Sequence, residues 1–371
     1  MNTEQLKFRI ALTLLNGVGN SIARNLIAYL GSEEAVFRER KSLLMKIPGI
    51  GEVTAGGIVN HRQALSRAEA EIEFIINNEI GVHYYADDSY PRRLHECPDA
   101  PLLLYSRGVA DLNAPRIVSV VGTRNATDYG KKMCRELVAE LRSVAGLLIV
   151  SGLAYGIDIC AHKASLDAAI PTLGVVAHGL DRIYPGHHRS TAVQMLNQGG
   201  LVTEYLSRTN PDRQNFVQRN RIIAGMADAI VVIESGVKGG ALITADLGND
   251  YNRDVFAFPG RAGDEWSRGC NLQIKSNKAA MIESAVDLLA GMNWRRPEQL
   301  ASCVTQPSLF PDLLPEELEV CTLLKSHAQG IQVNEIALLL QLPYSKISSV
   351  LLNLEFKGVV RCLPGGIYKI K

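Results

Sequence analysis

The hydrophobic rhythm of the chain changes twice. Over residues 1 to about 80, apolar side chains recur every three or four positions, as in Phe8, Leu12 and Leu15 and again in Ile22, Leu26 and Leu30. That spacing stacks them on one face of an α-helix. Two glycine turns, Gly17-Val18-Gly19 and Gly49-Ile50-Gly51, interrupt the pattern, and a further helical stretch follows each. From 115 to about 290, short apolar runs take over: Ile117–Val121, Leu147–Val150, Thr172–Val176, Leu201–Thr203, Ala229–Ile233 and Val255–Phe258. Amphipathic stretches lie between them, the first carrying Met133, Leu137, Leu141 and Val144 on one face. Repeated β–α alternation predicts a parallel sheet covered by helices on both faces. The connector from 81 to 114 has two short strand candidates, Val82–Tyr85 and Leu102–Tyr105.

The rhythm is lost over 293–312, where three prolines and no period predict a linker. Beyond it, Leu318, Leu323 and Leu324 suggest one helix, Val333, Ile336, Leu339 and Leu340 a second, and Ile347, Val350, Leu351 and Leu354 a third. Gly358 stops the third helix, and Val359–Arg361 and Ile367–Ile370 flank a Pro364-Gly365-Gly366 turn. Three helices and a hairpin describe a winged helix. The expected architecture is therefore α/β: a Rossmann-like parallel-sheet domain over 81–292, preceded by a helical helix-hairpin-helix or SAM-like domain over 1–80 and followed, after the linker, by a winged helix over 313–371.

Composition narrows the function classes. Lys and Arg total 39 against 38 Asp and Glu, a net charge of +1 over 371 residues. Any nucleic-acid site must therefore be a local patch. Seven cysteines form no C-x-x-C pair, which suggests neither a zinc site nor a redox motif and fits a reducing cytoplasm. The charged start MNTEQLKFRI does not read as a signal peptide, and no apolar run approaches the ~20 residues of a membrane span. The expectation is a cytoplasmic protein without a membrane partner.

Four glycine-rich turns fall at the carboxyl ends of expected strands: Gly122-Thr123-Arg124, Ser151–Asp158, His178–Asp181 and Gly236–Ala241. In an open α/β sheet that edge binds ligands. Glycine lets backbone N–H groups approach an anion, and a helix N-terminus adds about half a positive charge. The same glycines would also serve plain strand-to-helix turns. Neither G-x-G-x-x-G nor G-x-x-x-x-G-K-[ST] is present, against nicotinamide redox chemistry and P-loop hydrolysis. In Asn215–Ile223, Phe216 is positioned to stack on a base or to fill a core, and Arg219 and Arg221, two apart, point to different sides of a helix, one toward phosphate and one bracing the fold. Ser151, Asp158 and His162 imitate a hydrolase set without a G-x-S-x-G elbow, so structural roles fit them better. His187 and His188 lack a third ligand for a metal. The two N-terminal glycine turns fit helix-hairpin-helix motifs, which meet phosphates or simply pack. The winged-helix segment carries six cations against five anions, weak for a groove binder.

Taken together, VVGTRNATDYG at 120–130, SGLAYGIDICAH at 151–162, GLDRIYP at 179–185, TEY at 203–205, NFVQRNRIIAGMADAIVVIES at 215–235, GGALITADLG at 239–248 and VFAFPG at 255–260 closely resemble the DNA-processing protein A (Smf) family of bacterial natural transformation. The resemblance implies a non-enzymatic mediator without a cofactor. Such a protein binds and protects incoming single-stranded DNA, loads the RecA recombinase onto it and is typically a homodimer. Carried over by motif, Arg124 and Gly122 of the first turn would bind phosphate. Ser151, Gly152 and Gly156 would form a backbone cradle, Phe216 would stack a base, and Arg219 and Arg221 would complete the wall. Gly240 and Ala241 would close the floor, with Lys275 as an outer cation. Gly240 stands where the family usually has serine, and Gln214 and Asn215 where a basic or polar residue precedes the phenylalanine. The rival class is a nucleotide phosphoribohydrolase-like enzyme, although ESGVKGGALITADLG lacks the glutamate such loops carry after their glycines. A duplex-reading transcription regulator is a third reading.

Overall fold

The computed structural model describes residues 3–294, 314–327, 330–363 and 365–370. The chain divides into two compact units, 1–296 and 297–371. Most of the expected linker lies outside the described residues.

The first unit is built on a nine-stranded sheet among the described residues, in the order β1-β2-β6-β5-β4-β3-β7-β8-β9. The strands are β1 (Gly81–Tyr84), β2 (Leu103–Gly108), β3 (Arg116–Val121), β4 (Leu147–Ser151), β5 (Thr172–Val175), β6 (Gly200–Thr203), β7 (Ala229–Val232), β8 (Asp254–Ala257) and β9 (Ala280–Met281). From β6 through to β9 the pairing is parallel, while β1 and β2 form an antiparallel edge beside β6. Each expected strand is present and starts within a residue of its apolar run, although β2 continues three residues beyond its run, to Gly108. Only the two-residue β9 had no sequence signal, because a pair of residues leaves no period to read.

The parallel strands are apolar throughout because helices cover both faces. Ile117, Leu148, Leu173 and Ile230 pack on one face, and Val118, Val120, Ile149 and Val231 on the other. Ser119 interrupts the run at no cost to hydrogen bonding, since its buried hydroxyl donates to the Ile223 carbonyl. Chain order runs outward from β3 in both directions, through β4, β5 and β6 on one side and β7, β8 and β9 on the other. Adjacent loops at the carboxyl ends of β3 and β7 therefore diverge, which opens the crevice of a doubly wound sheet.

Residues 3–80 are helical, and they share a core with the sheet domain. Leu6, Ile10, Leu26, Leu44, Ile58 and Ile72 pack in one cluster with Tyr84, Leu102, Val176 and Met195. Buried Glu71 accepts hydrogen bonds from the Ser207 backbone and hydroxyl, and Arg67 donates to the Ser207 carbonyl. The second unit contains helices Pro315–Lys325, Val333–Leu339 and Tyr344–Phe356, with β10 (Ile331–Gln332), β11 (Val360–Leu363) and β12 (Ile367–Ile370). β12 lies between the other two strands, completing a winged helix. Among the described residues no single helix is long and apolar enough to cross a membrane.

Candidate functional site

A cavity of about 620 Å³ opens where β3 and β7 part. Its walls come from the turn after β3, the loop after β7, the start of the helix Arg213–Met226 and the start of the helix Gly240–Asp250. Two backbone bonds lock the first turn in place. Thr123 N–H donates to the Glu234 carbonyl at 2.7 Å, and Ile157 N–H donates to the Thr123 carbonyl at 3.2 Å. The β3 turn is thereby tied both to the β7 loop and to the helix after β4, with Arg124 left exposed at its tip.

Phe216 stands half-buried in the wall, and its ring is the hub of the site. The Arg124 guanidinium carbon lies 5.4 Å from the ring centroid, the Arg219 carbon 5.8 Å and the Tyr184 ring 5.9 Å. Exposed Arg124, Arg213 and Lys238 line the cavity and make no salt bridge among the described residues. The two helices that start here, at Arg213 and Gly240, have no side-chain cap hydrogen bond, so free N–H groups add positive potential. The acid in the lining, Asp158, is buried below. Burial raises its pKa above the usual carboxylate value, opposed by Arg219 and by backbone N–H groups. The mouth is thus cationic and aromatic, suited to an anion attached to a flat ring.

Sequence reasoning placed Arg124, Gly122, Phe216, Arg219, Gly240 and Ala241 around one site, and all six line the cavity. It is otherwise corrected at four positions. The Ser151 hydroxyl is fully buried and donates to the Val120 carbonyl at 2.6 Å, so it faces the sheet and cannot reach a ligand. Gly152 is buried behind Arg219: a Cβ there would lie 2.1 Å from Arg219 Nη1. Gly156 holds φ +78° under the β3 turn, where a Cβ would come 2.1 Å from the Thr123 carbonyl oxygen. Both glycines support the pocket from behind, and Ala154 and Asp158 are the residues of that turn that line it. Arg221 points away and pairs with Glu204 while donating to the Asp99 carbonyl. Lys275, expected as an outer cation, ends the helix Arg268–Lys275 and is not part of the lining.

Arg219 itself is the bracing member of the pair. It is 3% exposed, and its Nη1 donates to the carbonyls of Gly152 at 2.7 Å and Val175 at 2.5 Å. Burial lowers the guanidinium to about 10, with Asp158 opposing and Arg124 adding to the fall. The hydrolase imitation dissolves in the same way. His162 is fully buried, bonds Thr172 Oγ1 and is pushed down to about 3 by burial, helped by His188 and Arg219.

Sequence reasoning missed Arg213, Lys238, Tyr184 and Trp266. Arg213 was legible in principle: it precedes Phe216 by three, a spacing that shares a helix face, and it supplies the basic residue not found at Gln214 or Asn215. Tyr184 and Trp266 come from loops distant in sequence, and no local pattern points to them.

Comparison with known proteins follows this geometry. Residues 81–293 match the family model of DNA recombination-mediator protein A, and residues 305–366 match the winged-helix domain of the same family. The chain belongs to the DNA recombination-mediator protein A (DprA) family. It is 35% identical to Protein Smf of Synechocystis over 298 residues, 78% of this chain and 73% of the relative. It is 32% identical to Protein Smf of Escherichia coli over 291 residues, 76% of this chain and 75% of the relative. The X-ray structure of DNA processing protein A from Streptococcus pneumoniae superposes with a TM-score of 0.66 at 31% identity, covering 78% of this chain and 97% of that one. A Helicobacter pylori DprA structure, described for its single-stranded DNA binding mode, gives 0.52 at 26% identity, covering 58% and 96%.

Proposed function

We propose that this DprA-family chain binds single-stranded DNA in the β3–β7 cavity and acts as a recombination mediator, protecting incoming strands and delivering them to RecA during natural transformation. The observation that carries the binding step is the grouping of Arg124, Arg213 and Lys238, exposed and without salt bridges among the described residues, around the half-exposed ring of Phe216. Cations and uncapped helix N-termini hold sugar-phosphate oxygens whatever the sequence. An aromatic face accepts any unpaired base but not one stacked inside a duplex. The two together select single strands. The description of the Helicobacter pylori relative supports the same ligand. The RecA step and a homodimeric state rest on the family resemblance.

The deciding experiment compares single-stranded and duplex oligonucleotides binding to the full chain across a salt series. Single strands should bind more tightly, and log K should fall with log salt with a slope of about −2, as expected for three cations at about −0.7 per phosphate. Equal affinity for duplex, or binding indifferent to salt, would overturn the reading.

A further inference from the structure

A second and larger cavity, about 870 Å³, adjoins the first, and Trp266 lines both. Its character is different. Tyr129, Pro259 and Trp266 line it together with the acids Glu234, Asp264 and Glu265, and Arg261 is the cation. Glu234 is only 2% exposed and is fixed by the backbone N–H of Thr127 at 2.9 Å and by its hydroxyl. The loop bearing the rest is held as firmly. Ser235 N–H donates to the Trp266 carbonyl at 2.7 Å, and Asn271 clamps Gly260 through both its backbone N–H and its carbonyl. The Tyr129 hydroxyl donates to the Pro259 carbonyl at 2.7 Å, yet the ring stays 43% exposed.

A cavity with flat walls and several carboxylates repels phosphate and accepts N–H groups. Resting on the single-strand reading above, we propose that this cavity is a second nucleoside subsite. It takes the next base of the strand whose phosphates lie on Arg124, stacks it on Trp266, and prefers a base bearing an exocyclic amino group. Continuity through Trp266 is what links it to the first site, since that indole lines the cavity walled by Phe216 as well as this one. The preference follows from acceptor chemistry. A carboxylate can only accept, so it suits the N4 amino group of cytosine. The single N3–H of thymine sits between two carbonyl oxygens that a carboxylate repels.

The chain has two tryptophans, and Trp294 lies outside both cavities. In a full-length Trp294→Phe protein, Trp266 is therefore the remaining reporter. Oligo-dC and oligo-dT of about ten nucleotides are titrated, with fluorescence anisotropy of labelled strands scoring binding independently. Saturation should quench Trp266 emission, and oligo-dC should bind about fivefold more tightly than oligo-dT, as one added hydrogen bond implies. The double change Asp264→Asn and Glu265→Gln should bring that ratio to about one while retaining quenching. Binding with unchanged Trp266 emission, equal affinity for the two strands, or a cytosine preference that survives the double change would each overturn the subsite and leave the Arg124 site standing. If anisotropy detects neither strand, the proposed function fails with it.

Discussion

Arg124 and Arg219 flank the same phenylalanine ring and serve opposite purposes. Arg124 is exposed and has no salt bridge among the described residues, so its charge is available to a ligand. Replacing it with alanine should weaken single-strand binding about tenfold or more while moving the denaturation midpoint little; binding and urea titrations on one preparation check both. Arg219→Ala should do the reverse first. It strips donors from the Gly152 and Val175 carbonyls and a neighbouring cation from buried Asp158, costing about 3 kcal/mol or more of stability in urea titrations. His162 sets a pH dependence. Its folded pKa is near 3 against an ordinary 6.5, so above pH 6.5 both states are neutral, and below it only the unfolded chain takes the proton. This residue should therefore cost stability at up to about 1.4 kcal/mol per pH unit as pH falls below that value toward 3. Denaturation of His162→Gln at several acidic pH values should show a shallower loss. In sequence nothing says which of Arg219 and Arg221 braces the fold; burial, which depends on the strand next door, assigns that role to Arg219.

At the scale of the element, the glycine turns divide by what lies behind them. Gly156→Ala must push its Cβ into the backbone oxygen of Thr123 from a left-handed conformation, with no flexible side chain to yield. It should cost stability and displace the Arg124 turn, so binding and melting temperature should fall together. Gly240→Ser, by contrast, places its side chain in open space at a helix start, since nothing lies within 4 Å of a Cβ there. Stability should stay within about 0.5 kcal/mol, and single-strand affinity should hold or rise as the hydroxyl adds a donor. The N-terminal turns show the same ambiguity. Gly19 and Gly51 begin their helices with nearly identical backbone angles, as the repeated motif suggests. Yet the first helix is used for packing: Asn20 Oδ1 accepts from Leu102 N–H at 3.0 Å, and Arg24 donates to the Pro98 carbonyl. A G-x-G spacing specifies a tight turn, and the partner it meets is chosen elsewhere.

At the scale of the whole molecule, the shared core decides what is separable. Helices 3–80 bury Tyr84, Leu102, Val176 and Met195 jointly with their own apolar residues. A fragment of residues 81–293, the span of the family model, should therefore expose a broad apolar face and aggregate or bind a hydrophobic dye. Residues 1–296 should stay monodisperse and keep single-strand binding; size exclusion and anisotropy on both fragments check this. The winged-helix unit has spent cations internally, Lys346 on Glu316 and Lys357 on buried Glu317. That agrees with the weak charge balance read from its composition.

Periodicity alone determined the helical start, the β–α alternation with nearly every strand, and the closing winged helix, because burial on one or both faces of an element imposes a local repeat that survives in the sequence. Glycine chemistry alone pointed to the carboxyl edge of the sheet, where the cavity opens. Tertiary structure decided which charges face solvent there. It buried Arg219 and Ser151, turned Arg221 onto Glu204, and brought Arg213 at a helix start together with Lys238, Tyr184 and Trp266 from separate loops. A local pattern records the environment of a residue's own element, whereas exposure at a crevice is set by strands and loops distant in the sequence.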